Sequence, residues 1–425
     1  MKSLNGTISL PGDKSISHRA AMFSVIAQGE SRITNLSNGG DVASTISCLS
    51  ALGAHFQHDG TELITQGKGL HSLSGTDVVL DCGNSGTSLR LLTGLLSGQD
   101  VHNVSLIGDD SLSRRPHDRV INPLQKLGVD ISGRDGSFTP VVINSSKPHS
   151  GEVAMTIASA QVKSALLLAG LYADGPVSVI EEKKTRDHTE NMLHSMGVTL
   201  SSENVSSGNV ITILPPTKPL SPLTAVIPGD PSSAAFFGVA ACIIPGSDLT
   251  MTDILLNPTR IAWVDALHSM GADITVEEKG SVMGERVGNI HVRHAPLTAT
   301  EISGDIIASL IDELPILSIA MAVATGTSRV RDAHELRVKE SDRISVVVDH
   351  LTRAGIQVAE VEDGYDITGG MLNELDIQSD GDHRIAMSFS IANYCATGVL
   401  SEVDRAVVAT SFPSFFNLFE SLISS

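Results

Sequence analysis

The sequence predicts an α/β (α+β) protein of two similar domains, each holding three copies of one supersecondary unit, and three observations carry that prediction. The first is a helix-end signature repeated along the 425 residues: Leu49-Ser-Ala-Leu-Gly53, Leu124-Gln-Lys-Leu-Gly128, Leu193-His-Ser-Met-Gly197, Leu267-His-Ser-Met-Gly271 and Leu351-Thr-Arg-Ala-Gly355. Apolar residues at helical spacing stop each time at a glycine suited to a left-handed C-cap, and extended residues follow. The glycines recur at roughly 70 to 85 residues, a period that implies one unit used repeatedly. The second observation is a cut-short sixth copy, Leu418-Phe-Glu-Ser-Leu422, after which the chain stops without its strands. The strand-like segment Gly6–Leu10 is expected to complete that last copy, which assigns the first dozen residues to the C-terminal half. The third is the turn-rich break Ile227-Pro228-Gly229-Asp230-Pro231, where the chain should cross a second time. The expected domains are therefore 14–229, and 1–13 together with 230–425. They would be joined by a double-crossover hinge and close around a ligand in the cleft between them.

Composition narrows the function class. Hydrophobic residues make up 41% and charged residues 18%, the profile of a folded globular chain. Thirty-eight glycines and only 3% aromatics suggest turn-rich domains with aliphatic cores. The formal charge of −19 provides no broad basic surface, so no nucleic acid partner is expected. The longest uncharged apolar runs, 232–244 and 314–324, are too short for a membrane span and read as buried helices, so no membrane partner is expected either. The cysteines Cys48, Cys82, Cys242 and Cys395 are isolated, as buried thiols of a reducing compartment would be. With no apolar signal-peptide core, the expected location is cytoplasmic.

The chemistry gathers at helix starts. After the strand-like Thr7–Leu10, Pro11-Gly12 ends the extended segment, and Asp13-Lys14-Ser15-Ile16-Ser17-His18-Arg19 leads into the apolar helix 20–27. Lys14 and Ser15 then sit where free N–H groups and the positive end of the helix dipole favour anions, and Arg19 adds a two-pronged grip one turn on. A Gly-rich turn, Gly83-Asn84-Ser85-Gly86-Thr87, enters another helix. Ser113-Arg114-Arg115-Pro116-His117-Asp118-Arg119 brings three arginines around a proline, either a surface loop or an anion contact. Ser159-Ala160-Gln161-Val162-Lys163 opens the apolar helix 164–172, and Thr185-Arg186-Asp187-His188-Thr189-Glu190 has the same character. In the C-terminal half, Asp312-Glu313 lies between two apolar runs, a setting in which ionisation is often perturbed. Arg337-Val338-Lys339-Glu340-Ser341-Asp342-Arg343 alternates bases and acids before a helix expected near Ser341, and Asp382-His383-Arg384 opens the helix 385–394. Both halves carry such starts, which points to a ligand with several negative charges. No His/Cys cluster has metal spacing, and no GxGxxG, GxxxxGK[ST] or GxSxG motif is present, so no metal site is expected.

Taken in order, the segments 11–19, Gly83–Thr87, Arg115-Pro116, Ser159–Gln161, Gly229–Ser233, 337–343 and Asp382–Arg384 resemble the 5-enolpyruvylshikimate-3-phosphate synthase family across nearly the whole chain. That resemblance implies βαβαββ units, three per domain. It implies transfer of the carboxyvinyl group of phosphoenolpyruvate to the 5-hydroxyl of shikimate 3-phosphate through a tetrahedral intermediate, with release of phosphate and no metal or cofactor. It implies roles as well. Lys14 lies between the two substrates, serves both, and counts with Asp312 and Glu340 among the catalytic residues. Ser15, Arg19, Ser159, Ala160 (through its backbone), Gln161 and Arg186 bind shikimate 3-phosphate, and Lys339 faces its hydroxyls. Asn84, Gly86, Thr87, Arg115, Gln161, Arg343 and Arg384 serve phosphoenolpyruvate. Asp312 takes the 5-hydroxyl proton, and Glu340 delivers one to the methylene carbon. A monomer is expected.

Two departures from the family pattern stand out: some members carry a lysine where this chain has Thr410, and the branch lacking that lysine often has alanine where this chain has Gly86. Two other functions compete. An enolpyruvyl transferase acting on UDP-N-acetylglucosamine usually has a reactive loop cysteine and an Asn after the N-terminal lysine, whereas this chain has no cysteine in 113–119 and has Ser15. A non-catalytic sensor of anionic metabolites would not need Asp312, Lys339 and Glu340.

Overall fold

The computed structural model describes residues 1–58, 62–206 and 208–423. They form two compact units, one of Met1–Pro11, Pro228–Ser281 and Arg286–Ser425, the other of Gly12–Ile227 with Val282–Glu285. The chain thus changes unit at Pro11–Gly12 and at Ile227–Pro228, where the sequence suggested 13–14 and 229–230. The short segment Val282–Glu285 carries no sequence signal that separates it from its neighbours.

The Gly12–Ile227 unit holds three four-stranded sheets of one plan. In the second sheet Val79–Asp81 pairs in parallel with Val104–Ile107, which pairs antiparallel with Phe138–Ile143, and that strand with Ile131–Arg134. Helix Gly86–Leu96 makes the parallel crossover, and helix Asp118–Lys126 precedes the final hairpin. The third sheet repeats this with strands Gly151–Ala154, Val177–Glu181, Gly208–Ile213 and Leu200–Val205 around helices Ala160–Gly170 and His188–Ser195. The first sheet borrows its parallel edge strand, Thr224–Val226, from the far end of the unit and pairs it with Gln28–Thr34.

The other unit contains two sheets of the same plan. The N-terminal strand Asn5–Ser9 lies parallel to Asp248–Leu255, with Asn5 opposite Asp248. This corrects the expectation that it completes the last copy: it completes the copy that begins with helix Pro231–Ile243. The pairing runs in register over five residues, Asn5–Ser9 against Asp248–Thr252, while Leu4 and Ile8 are buried in the unit's core. The last copy contributes helices His383–Thr397 and Phe415–Ile423, and among the described residues no four-stranded sheet belongs to it.

The five glycines of the repeat have φ of +92°, +79°, +96°, +89° and +84°, a conformation that any side chain would strain. Each follows a helix at its C′ position, so the outer helices of the first five copies end in the same way. The inner helices are buried nearly all round, as the apolar runs at 232–244 and 314–324 implied. No single helix among the described residues is long and apolar enough to cross a membrane. The core of the unit that contains Met1–Pro11 is mostly aliphatic, as expected, but it also holds an aromatic cluster. There Phe236, Phe237, Phe412, Phe415, Phe416 and Phe419 pack in edge-to-face or tilted pairs, with ring centroids 5.1–6.2 Å apart. Ten phenylalanines are few overall, but the end of the chain concentrates them. Cys48, Cys82 and Cys242 are buried thiols, and Cys395 is partly so.

Candidate active site

In the Gly12–Ile227 unit, the three inner helices start at Lys14, Gly86 and Ala160, each immediately after a capping side chain. Asp13 accepts from the Ile16 amide at 2.7 Å, Ser85 from Ser88, and Ser159 from Val162, so one N–H per helix is satisfied and other first-turn amides can face an anion. Lys14 Nζ meets Asp41 Oδ2 at 2.9 Å. Arg19 is 3% exposed and held at every nitrogen: Nη1 donates to the Ser15 carbonyl, Nε to Thr189 Oγ1 and Nη2 to Ser164 Oγ. Burial lowers its pKa to about 10, against the attraction of Glu190, Asp13 and Glu285, so it stays charged at neutral pH. The charge of Arg186 pushes the same way as burial.

The Gly-rich turn and the Ser159 helix are tied by Gln161. Its Nε2 donates to Thr87 Oγ1 at 2.9 Å, and its Oε1 accepts from Arg90 Nη1 at 2.6 Å. Asn84 donates to Asp109 and accepts from Arg115 Nη2 at 3.3 Å, while Arg115 also reaches Ser111. A Cβ at Gly86 would lie 2.8 Å from Arg90 Nη1, so alanine there must displace the guanidinium that holds Gln161. Asn84 and Arg115 thus stand at one end of the Gly-rich turn, and Gly86, Thr87 and Gln161 at the other. Behind them a buried chain runs from His18 Nδ1 to Thr45 Oγ1, then to Ser88 and Ser85, linking two inner helices. Burial lowers the His18 pKa to about 3, with the Asp41 charge opposing and Lys14 and Arg19 assisting, so its ring is neutral at physiological pH.

In the other unit, Arg343 gathers the acids. It is 1% exposed, and its Nε donates to Asp382 Oδ2 at 2.7 Å, Nη2 to Glu340 Oε2 at 2.7 Å and Nη1 to Asp312 Oδ1 at 3.5 Å. Burial opposes its charge, but Asp382, Glu340 and Asp312 outweigh burial and raise its pKa. Burial would likewise lift the Asp382 carboxyl, but the Arg343 charge overcomes it and holds that carboxyl below its ordinary range. Asp382 also caps helix His383–Thr397 through the Arg384 amide at 2.9 Å. Lys339 Nζ stands 4.0 Å from Asp312 Oδ1, and Arg384 Nη1 donates to the Asp312 carbonyl at 2.8 Å. Asp312, Lys339, Glu340, Arg343 and Arg384 thus form one connected group, with Arg343 as the organiser of the two acids. The helix expected near Ser341 begins at Arg343, which leaves Lys339 and Glu340 in the preceding turn. Thr410 closes its own turn on the Val407 carbonyl.

Several side chains at these sites escaped sequence reasoning. Asp41, the partner of Lys14, lies in the helix Gly40–Ala51, outside every motif. Arg90 stands one turn after Gly86 on the same helix, and that i, i+4 spacing was a usable signal. Asp187, His188 and Glu285 place ligand atoms within 4.8 Å of one another, a grouping invisible to spacing because Glu285 is remote in sequence. His188 Nδ1 and Glu285 Oε1 are hydrogen-bonded at 2.8 Å.

The chain matches the family model for EPSP synthase (3-phosphoshikimate 1-carboxyvinyltransferase) over residues 1–419. It is 47% identical to the 3-phosphoshikimate 1-carboxyvinyltransferase of Citrifermentans bemidjiense, covering 99% of this chain and 97% of that one. It is 48% identical to the enzyme of that name from Sulfurimonas denitrificans, over 98% and 95%. The solved EPSP synthase of Acinetobacter baumannii superposes with a TM-score of 0.88 at 39% identity, covering 99% of this chain and 96% of that one. The enolpyruvyl transferase NikO of Streptomyces tendae shares the fold, with a TM-score of 0.73 at 16% identity over 99% and 95%. On sequence and on structure alike, this chain belongs to the EPSP synthase (3-phosphoshikimate 1-carboxyvinyltransferase) family.

Proposed function

We infer that this protein transfers the enolpyruvyl group of phosphoenolpyruvate to the 5-hydroxyl of shikimate 3-phosphate, releasing phosphate, in aromatic biosynthesis. The reading is supported above all by the group in which a single guanidinium, Arg343, holds both Asp312 and Glu340 beside Lys339. Two acids held apart on one cation can divide the roles of base and acid. Glu340 delivers a proton to the methylene carbon of phosphoenolpyruvate. The 5-oxygen bonds to the adjacent carbon as Asp312 takes the hydroxyl proton. The tetrahedral adduct then loses hydrogen phosphate, which carries off the proton held by Asp312, and the Glu340 carboxylate takes back a proton from the methyl group as the double bond returns.

Both substrates carry a phosphate and a carboxylate, and a like-charged pair 4 Å apart costs about 4 kcal/mol at an effective dielectric near 20. Lys14, Arg19 and Arg186, with Ser15, Ser159, the Ala160 amide and Gln161, serve shikimate 3-phosphate in this reading, and Lys339 faces its hydroxyls. Lys14, Arg115, Arg343 and Arg384, with Asn84, Gly86, Thr87 and Gln161, serve phosphoenolpyruvate. The steps need no change of oxidation state, and no metal or organic cofactor enters them. We place the enzyme in the cytoplasm as a monomer, without nucleic acid or membrane partners.

The test is phosphate release on mixing shikimate 3-phosphate with phosphoenolpyruvate. One phosphate per enolpyruvyl product is expected, and none with either substrate alone. Binding of both without turnover would replace the enzyme with a sensor, and turnover only with UDP-N-acetylglucosamine would replace the acceptor.

A further inference from the structure

Thr185, directly before Arg186 in the chain, is bound into a buried ion cluster that the reaction as described does not use. Lys163, on the helix Ala160–Gly170, is 1% exposed, and its ammonium meets Glu190 Oε1 at 2.8 Å and Glu181 Oε1 at 3.1 Å. The same ammonium donates to the Thr185 carbonyl at 3.2 Å. Glu181, at the end of the strand Val177–Glu181, accepts from the Thr185 amide at 3.0 Å and from the Thr185 hydroxyl at 2.5 Å, both through Oε2. Asn209 donates to its other oxygen at 3.1 Å. Thr185 therefore makes three hydrogen bonds to two buried charges, while Glu182, Lys183 and Lys184 just before it are exposed. After that exposed stretch, the attachment of Thr185 fixes the backbone that delivers the next residue, Arg186. Charged partners make these bonds strong, and a buried ion pair with all its donors directed tolerates little displacement.

We propose that Thr185, clamped by the Lys163–Glu181 pair, is a positioning residue that aims Arg186 at the phosphate of shikimate 3-phosphate. The proposal rests on the reading above that Arg186 binds this substrate. Its energetic logic is preorganisation: an arginine already held in place gives up less freedom when the anion arrives. The cluster sets two carboxylates against one ammonium, and one of them, Glu190, also supports the charge of Arg19.

The test is steady-state kinetics on Thr185→Val, Thr185→Ser and Arg186→Ala, with the double variant T185V/R186A completing a cycle. Thr185→Val keeps the shape and the amide bond but removes the hydroxyl donor. It is expected to raise KM for shikimate 3-phosphate about tenfold, with KM for phosphoenolpyruvate within about twofold of the parent. Thr185→Ser, which restores the hydroxyl, returns KM to the parent value. In the Arg186→Ala background, Thr185→Val adds nothing. An unchanged KM in Thr185→Val, beside a raised one in Arg186→Ala, overturns the clamp and leaves the substrate reading standing. A Thr185→Val effect that persists in full without Arg186 also overturns it. If Arg186→Ala itself leaves KM for shikimate 3-phosphate unchanged, the role given to Arg186 fails and the clamp with it.

Discussion

Removing the Asp382 carboxylate should be the most damaging single change in the group around Arg343, and the structure sets the size of the loss. Arg343 and Asp382 are 1% and 0% exposed, joined by two hydrogen bonds of 2.7 and 3.3 Å. Breaking a buried pair by deleting one partner costs about 3–5 kcal/mol, because the survivor keeps a charge without its counterion. Glu340 and Asp312 remain beside the guanidinium, which favours the lower end, about 3 kcal/mol for Asp382→Asn. Asparagine still caps the helix His383–Thr397, whereas Asp382→Ala also loses the cap and about 1 kcal/mol more. A unit of about 200 residues loses roughly 2–4 °C of melting temperature per kcal/mol, so the Asn variant should melt about 6–12 °C lower and the Ala variant lower still. The depressed Asp382 pKa fixes the pH dependence. Its stabilisation is present above the unfolded carboxylate value of about 3.9 and is lost as pH falls through the lower folded value, so the parent's advantage shrinks only in strong acid. Calorimetry at about pH 7 and about pH 3 measures both effects. Asn and Ala variants that each melt within about 2 °C of the parent would show that this pair does not hold the unit together.

Two further outcomes follow from the same geometry. Glu340→Ala should lower turnover by roughly 10²–10⁴-fold with its fold intact, measured by phosphate release, and a near-normal rate removes Glu340 from proton transfer. His18, with a folded pKa of about 3 against about 6.5 unfolded, binds its proton only in the unfolded chain as pH falls below about 6.5. Its contribution is complete above that value, and about 2 kcal/mol is lost by about pH 5, so His18→Asn should flatten the melting-temperature profile between about pH 7 and pH 5. An unchanged slope would mean that His18 does not carry this pH dependence.

Much of this architecture was legible because one physical requirement repeats. A glycine that must take positive φ after each outer helix marks Gly53, Gly128, Gly197, Gly271 and Gly355 in the sequence, and all five adopt it. Helix starts were legible for a similar reason, since a capping Asp or Ser followed by an apolar run has few other uses. Strand partnership was not. Asn5–Ser9 could pair with any copy lacking an edge strand, and local pattern cannot choose between Asp248–Leu255 and the final copy. Side-chain partnerships across sequence distance were hidden too. Asp41 against Lys14, and Lys163 against Glu181, are made by helix and sheet packing that no spacing rule records. The phenylalanine cluster was missed because an average over the whole chain conceals a local concentration.

In the proposed reaction, carbon protonation and loss of phosphate occur on one adduct, under the acids that Arg343 holds. Running shikimate 3-phosphate and phosphoenolpyruvate with the enzyme in deuterium oxide examines that sequence of steps in a single product. Deuterium is expected in the vinyl methylene of the enolpyruvyl product, because the methyl group formed on protonation loses either isotope when the double bond returns. Product formed with phosphate but with a methylene free of deuterium would rule out protonation at that carbon.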